Sequence, residues 1–443
     1  MMLTWGKSMR ELLIILEGKH LATLYQNSQG AVRLDYEPDL EITPETTPLS
    51  LSMPLAGKSY QNRICSNWMA NLLPDDAQVL KRWAHDFKVS ASSPFRLLEH
   101  VGRDIAGAAR LLPPGVNPHE GGIDWWTIEE VEKRLSELTS DPTAWTQRHA
   151  RGQFSLAGAQ PKTALRWDGD RWGKPYGSEP TTHILKLSSM FPYQNLNEHL
   201  TLATAARLRN FSVVSTELRK FDGGTAIVVE RYDRRIENGE VARLHQEDMC
   251  QALKFAPSYK YQQDGGPGIK DICGLLRSHV LPEAVENEIK KFIRAIAFSW
   301  VVASTDGHAK NYSLLLSGPR VQLAPLYDVQ SSLPYLSRSE REISDGAIGL
   351  RTAEFAMKIG NHYHINSITK QDWEKVADEC GVERADLLAM VHEIAVQTPQ
   401  EFDRVVAEEL SNNLLNEKEV EFVSRFRELI NDRSRECLEV LDQ

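Results

Sequence analysis

Residues 304–313 read STDGHAKNYS, which places Asp306, His308, Lys310 and Asn311 in one short segment. The largely apolar ENEIKKFIRAIAFSWVVAS precedes it; YSLLL, the turn SGPR and VQLAPLYDV follow, and the last of these carries a second acid, Asp328. That order reads as helix, polar loop, hairpin and acid. Phosphoryl transfer needs such a set: a carboxylate that accepts the proton of an attacking hydroxyl, and oxygen ligands that hold Mg2+ on nucleotide phosphates. Asp306 and Asn311 are close enough for one loop to present the base and an amide oxygen together. A hairpin of two short strands can then return Asp328 to Asn311. Each part alone is a weak signal. Asp-Gly is a common turn dipeptide. His308 has no second His or Cys at ligand spacing and reads as a residue that orders the loop by hydrogen bonding. Lys310 is either a solvated loop charge or part of the site.

The D-x-x-x-x-N spacing, followed by a hairpin and an acid, is that of protein-kinase catalytic and metal-binding loops. Upstream parts come in the matching order. In THILKLS, period-2 alternation puts Ile184 and Lys186 on one strand face and His183, Leu185 and Leu187 on the other. A lone Lys in an apolar strand is costly unless its ammonium meets an anion. Lys186 is therefore either an edge-strand charge or a contact to the α/β-phosphates, with Glu198 on the next helix as a steadying partner. FSLAGAQPK has too few glycines for a Walker A loop, and GxGxxG is absent, so a dinucleotide fold is not supported. Ala157, Gly158 and Ala159 are still small enough for backbone N–H groups to approach phosphate, with Lys162 nearby. AIVVE running into ERYDR predicts a strand and then a hinge between two lobes, where backbone groups at Glu230 and Tyr232 can meet an adenine edge; the Tyr232 ring alternatively packs.

These residues need elements to hold them. A chain of 443 residues exceeds one ordinary core and implies two or more domains or one large two-lobed domain. LLIILEGKHLATLYQNSQGAVRLDYE predicts a strand meander, and helical spacing recurs through 67–101. After a break at PPGVNPHEGG, a helix over TIEEVEKRLSEL starts with Thr127 as N-cap and Glu130 completing a capping box. Strands are expected over 154–167 and 181–188, joined by a hairpin-like stretch. A helix over 196–209 follows, then strands over 212–219 and 225–230. After residue 245 the pattern is mainly helical apart from one short hairpin. The expected fold class is α+β and two-lobed, like a protein kinase. Residues 1–113 would form an N-terminal subdomain of meander and helices, 114–232 an N-lobe sheet with the nucleotide loop, and 233–443 a mostly helical C-lobe with the catalytic and metal-binding loops.

Composition excludes some classes. The net charge of −10 argues against a protein that holds nucleic acid alone, so any DNA role needs a basic partner. No apolar stretch reaches the roughly 18–20 residues that span a bilayer, and MMLTWGKSMRELLIILEGKH shows no signal-peptide cleavage pattern. A cytoplasmic protein without a membrane partner is expected. The five cysteines are scattered, with no CxxC pair, and read as buried thiols.

Taken together, FSLAGAQPKTAL, THILKLS, ERYDRR, LHQEDMCQAL, DGGPGI, STDGHAKNYS and LAPLYDV resemble, in the same order, the HipA family of serine/threonine kinases, the toxins of bacterial toxin–antitoxin pairs. The resemblance implies ATP and Mg2+ as cofactors, Asp306 as catalytic base, Asn311 and Asp328 as Mg2+ ligands, and Lys186 as the phosphate-contacting lysine. It implies a nucleotide loop of Ala157, Gly158, Ala159, Gln160, Pro161 and Lys162, hinge contacts from Glu230, Arg231 and Tyr232, and a pocket completed by His308, Ala309, Lys310, Asn311 and Tyr327. Ser155 matches the family's autophosphorylation site; a charge of about −2 there would repel nucleotide phosphates and expel the loop, switching the enzyme off. The implied partner is a HipB-like, small basic helix-turn-helix antitoxin that binds operator DNA, which reconciles an acidic chain with a DNA complex. The implied substrate is a translation factor, glutamyl-tRNA synthetase being the family's best-known target. A catalytically weak corepressor and a small-molecule phosphotransferase are the competing functions. Three departures stand out. The metal-binding acid sits in YDV and not DFG, so a Phe-flip switch is not implied. Pro161 stands where other members can carry an acidic residue. KIGNHYHINSITK (358–370) falls where members touch DNA, yet offers only Lys358 and Lys370.

Overall fold

The N-terminal alternation folds as expected in the computed structural model, which describes residues 9–145, 153–222, 224–237, 240–337, 349–350 and 352–443. Strands β1 (Arg10–Leu16), β2 (Lys19–Gln26), β3 (Val32–Tyr36), β4 (Ser59–Gln61) and β5 (Arg110–Leu112) form one sheet in the order β4-β3-β2-β1-β5. Glu17 and Gly18, with φ of 51° and 77°, make the two-residue turn whose twist suits the β1–β2 hairpin. Helices α1 (Arg63–Asn71), α2 (Ala77–Phe87) and α3 (Pro94–Val101) bring Trp68, Trp83 and Phe95 into one core with the sheet's Leu12, Ile14 and Leu24. Asp76 caps α2, and Ser93 caps α3 ahead of Pro94 at its first position.

Two compact units interleave along the chain. The first gathers residues up to Leu187, Glu230–Ser258 and Ser313–Val321; the second gathers Ser188–Val229, Tyr259–Tyr312 and Gln322–Gln443. In the first unit a further antiparallel sheet runs β9-β7-β8-β6, built from β6 (Gly121–Trp126), β7 (Lys162–Trp167), β8 (Trp172–Gly177) and β9 (His183–Lys186). Helix α4 (Ile128–Ser140) begins with the Thr127/Glu130 capping box read from the sequence. The strand expected over 154–167 starts only at Lys162. The residues before it form a loop, because Gly158 is left-handed (φ 101°) and Pro161 has no N–H for a ladder. The strand expected over 181–188 shortens to His183–Lys186, and the break after residue 113 runs into β6, whose opening Gly-Gly hides it from pattern reading. The unit is completed by hairpin β12 (Arg234–Glu237) with β13 (Glu240–Arg243), by β14 (His245–Asp248) paired antiparallel with β15 (Ser313–Ser317), and by the short helix α6 (Met249–Ala252).

The second unit holds α5 (Gln194–Arg207), the antiparallel pair β10 (Thr216–Phe221) and β11 (Gly224–Glu230), α7 (Ile269–His279) and α8 (Val285–Val301). After β16 (Arg320–Leu323) come hairpin β17 (Glu354–Ile359) with β18 (His362–His364), then α9 (Lys370–Cys380), α10 (Arg384–Ser411) and α11 (Glu417–Asp442). Trp300, Trp373, Phe292, Phe298, Phe402 and Phe426 fill its core, each at most 1% exposed. The region after residue 245 is thus less helical than expected: β14 and the β17–β18 hairpin join the anticipated one. The polar HYH of β18 shows no alternation from which to read a strand. All five cysteines are buried and none is in a disulfide. Among the described residues no helix is long and apolar enough to cross a membrane.

Candidate active site

Helix α8 delivers the acidic loop. Its apolar face is buried to Val301, then Ala303 turns left-handed (φ 50°) and the Ser304 N–H donates to the Ser299 carbonyl at 2.7 Å, which ends the helix. Thr305 is pinned twice: its hydroxyl lies 2.6 Å from that of Ser332, and its carbonyl accepts the Ala356 N–H of β17 at 3.0 Å. Asp306 comes next and is exposed. One of its carboxylate oxygens accepts the Tyr261 hydroxyl at 2.7 Å, and its carbonyl accepts the His308 N–H at 2.8 Å. Gly307 sits at a close approach, where an added Cβ would lie 3.1 Å from the Tyr312 hydroxyl. Burial pushes that phenol up to about 12. The Ala309 N–H donates to Lys260, and the Asn311 N–H donates to His308.

The expected convergence of loop and second acid is present. The Asn311 amide nitrogen donates to the Asp328 carbonyl at 3.2 Å, and the Tyr327 hydroxyl donates to the Lys310 carbonyl at 2.7 Å. With its nitrogen so engaged, Asn311 keeps its amide oxygen for a cation. Asp328 has φ of 55°, a conformation that costs a non-glycine residue about 1–3 kcal/mol and persists only when its surroundings enforce it. They do so on both sides. Leu326 exchanges backbone bonds with Ser212 and Val214, while Gln330 is held by Gln194 and donates to Glu198, and Ser331 is bracketed by the Asn197 amide. His308, Lys310 and Asn311 are all buried, so Lys310 is not a solvated charge.

The first unit presents the other set of expected residues. Ser155 is fully buried: its hydroxyl donates to the Leu72 carbonyl at 2.7 Å and its N–H to the Asp104 carbonyl at 2.9 Å. The loop that follows is fastened at its middle by the Asp75 N–H on the Gly158 carbonyl, and by the Gln160 amide on the Leu187 carbonyl. Lys162 donates to the Ala157 carbonyl at 2.6 Å, under a Gly158 whose added Cβ would meet the ammonium. Lys162 and Lys186 stand directly opposite each other on β7 and β9, and both are buried. Like charges placed so are destabilising unless each ammonium is partnered, and Lys162 meets the Ala157 carbonyl and the Trp145 ring. A burial of 6% exposure removes the reading of Lys186 as an outward edge-strand charge.

Of the three expected hinge residues, Glu230 is exposed, while Tyr232 donates its hydroxyl to Gln246 at 2.7 Å, burial pushing that phenol well up. Arg231 is 3% exposed, and its guanidinium binds Asp233, Thr181 and the Ile105 carbonyl. Arg234 adds bonds to Asp104 and Gly107. Burial opposes ionisation of Asp104 and Asp233, but the Arg231 and Arg234 guanidiniums outweigh it and hold both carboxyls below the usual range. Arg231 therefore supports the frame through its side chain. The same Asp104 seats Ser155 through its carbonyl, which ties this ion network to the loop.

Within the second unit, Asn311 and Asp328 fit the metal of a magnesium nucleotide. Among the described residues no group of three His, Cys, Asp or Glu side chains is arranged to hold a metal. Mg2+ is bound in nucleotide sites by one or two protein oxygens, with phosphates and water supplying the rest. Asn311 and Asp328 suit that role, and the paired lysines suit phosphate oxygens. Sequence reading missed the supports: Tyr261, Thr305, Asn197, Ser331 and Ser332.

Residues 12–112 match the HipA N-terminal domain and residues 154–402 the HipA-like C-terminal domain. Y4mE of Sinorhizobium fredii is 33% identical over 386 residues, 85% of this chain and 87% of its own length. The serine/threonine-protein kinase toxin HipA of Shewanella oneidensis is 29% identical, with 89% of each chain covered. A solved complex of Shewanella oneidensis HipA with HipB and its operator DNA superposes with a TM-score of 0.82 and 26% identity, over 97% of this chain and 98% of that one. Both domains match in order, and a relative shares a third of its residues over most of the length: the chain belongs to the HipA family.

Proposed function

We propose that this protein is an ATP- and Mg2+-dependent serine/threonine protein kinase, acting in the cytoplasm as the toxin of a toxin–antitoxin pair. The observation that carries the reading is the Asn311–Asp328 pair, locked together beside an exposed Asp306. Bound Mg-ATP supplies the transferable phosphoryl group and the metal charge that offsets its oxygens. Lys162 and Lys186 bind phosphate oxygens, Asn311 and Asp328 offer oxygen ligands, and Glu230 and Tyr232 offer backbone to the base. Asp306 accepts the proton of the incoming hydroxyl, and its exposure suits a protein acceptor. A translation factor, glutamyl-tRNA synthetase among them, is the acceptor class proposed. The Shewanella relative assembles with HipB on operator DNA; a HipB-like basic antitoxin would give this chain, with its −10 charge, the same route to DNA.

Ser155 is the proposed off-switch. Its hydroxyl is buried against Leu72, so the loop has to leave its seat before the serine can accept phosphate. A phosphate dianion cannot return to a seat lined by carbonyls without a large desolvation cost, so the modified loop stays out. Purified protein incubated with γ-labelled ATP and Mg2+ is expected to label itself at Ser155, as read by phosphopeptide mapping. Ser155→Ala is expected to lose self-labelling and to keep transfer to an added protein acceptor. A well-folded wild type that labels neither itself nor any acceptor would contradict the kinase reading.

A further inference from the structure

Of the stretches that carry the family resemblance, DGGPGI (264–269) has no part in the chemistry described so far, and it begins three residues after Tyr261. Its backbone is tightly wound. The N–H groups of Asp264 and Gly266 both donate to the Tyr261 carbonyl, at 3.1 and 3.0 Å, and Gly265 is left-handed (φ 88°). Gly266 admits no side chain: a Cβ would lie 1.9 Å from the Tyr259 carbonyl oxygen and 2.7 Å from that of Tyr261. The turn thus exists to fix the Tyr261 backbone. Its neighbours fasten it to the strand that also pins the acidic loop. The Gln262 side-chain oxygen accepts the Lys358 N–H of β17 at 2.7 Å, and Gln263 donates to Glu354 at the start of that strand. Two residues from Lys358, Ala356 donates to Thr305, next to Asp306. On the other side, the Lys260 carbonyl accepts the Ala309 N–H, and the Tyr261 ring meets the His308 ring edge-on, centroids 5.1 Å apart. The result is a closed frame with the Tyr261 hydroxyl at one corner, 2.7 Å from an Asp306 oxygen.

From this frame we infer that Tyr261 is the positioning residue of the Asp306 base, an inference that rests on the kinase reading above. An exposed aspartate turns freely about its side-chain bonds. A phenol that donates to one carboxylate oxygen fixes the plane of the group and leaves the second oxygen for the substrate hydroxyl. Tyr261 touches neither phosphate nor acceptor and acts through Asp306 alone. A general base held in place contributes through orientation, and small misplacements carry large rate penalties. The DGGPG turn is therefore part of the catalytic apparatus, although none of its atoms reacts.

Tyr261→Phe keeps the ring against His308 and removes only the hydroxyl. At saturating Mg-ATP, its kcat for phosphoryl transfer is expected to fall about 10-fold or more, with the KM for Mg-ATP and the Tm unchanged. Added to Asp306→Asn, the same change should lower the residual rate no further. Gly266→Ala, which displaces Tyr261 with its hydroxyl intact, is expected to lower kcat as well. A Tyr261→Phe protein with wild-type kcat would overturn the inference and leave the kinase reading standing. So would a loss of rate matched by a lower Tm, because it would mark a packing role. A wild type that transfers no phosphate removes the kinase reading, and this inference with it.

Discussion

Asp306→Asn is expected to slow phosphoryl transfer from Mg-ATP by about 10²–10⁴-fold, the range a positioned general base contributes. The substitution changes little else. An amide oxygen still accepts the Tyr261 hydroxyl, and the backbone bonds from His308 N–H to residue 306 and from Ala356 N–H to Thr305 do not involve the side chain. The variant loses only the ability to take a proton. Initial rates with γ-labelled ATP, paired with thermal melts of both proteins, check this. Transfer within a few-fold of wild type would show that another group acts as base. A slow variant that also melts early would reveal a structural role for the carboxylate.

The largest effect on stability is expected at Arg231. Arg231→Met removes one of the three guanidiniums, with those of Arg234 and Arg243, that neutralise Asp104 and Asp233 in a buried setting. Breaking a buried pair by deleting one partner costs about 3–5 kcal/mol, here because Asp233 and Asp104 stay buried with the Arg231 hydrogen bonds and charge gone and only Arg234 and Arg243 left to offset them. Urea denaturation followed by fluorescence reads the shift. Its pH dependence has a definite sign. Both carboxyls titrate lower in the folded chain than the usual range. Their stabilising contribution is therefore present above that range and is lost as pH falls through it toward the depressed folded values. The gap between wild type and Arg231→Met should be widest near neutrality and narrow in acid. Because the Asp104 carbonyl also seats Ser155, proteolysis of the 153–161 loop should speed up in the variant.

The convergence of the polar loop on the second acid was legible because it is local. Asp306, His308, Lys310 and Asn311 occupy one segment, and a hairpin of two short strands suffices to return Asp328, so spacing alone carries the geometry. The Thr127–Glu130 box was legible for the same reason. Residues 154–161 misled because Phe154, Leu156 and Ala157 mimic a strand, while Gly158 and Pro161 set the backbone. The burial of Lys310, and the bonding of Arg231 to Asp104 and Ile105, depend on packing between segments distant in sequence, which no window of residues records. Tyr261 lies 45 residues from Asp306 and reaches it only through a turn that Gly266 permits. Its signal, a glycine-rich run, announces a tight backbone and not what that backbone holds in place.

In the proposed kinase, Asn311 and Asp328 present oxygens to the metal of a nucleotide beside Asp306. Calorimetric titration of ATP into wild type and Asp328→Asn, each with Mg2+ and with chelator, tests it most directly; asparagine tolerates the left-handed backbone at that position. Mg2+ is expected to tighten ATP binding to the wild type, and Asp328→Asn to lose most of that gain. Equal affinity for ATP with and without Mg2+, or an Asp328→Asn protein that binds Mg-ATP as the wild type does, would contradict it.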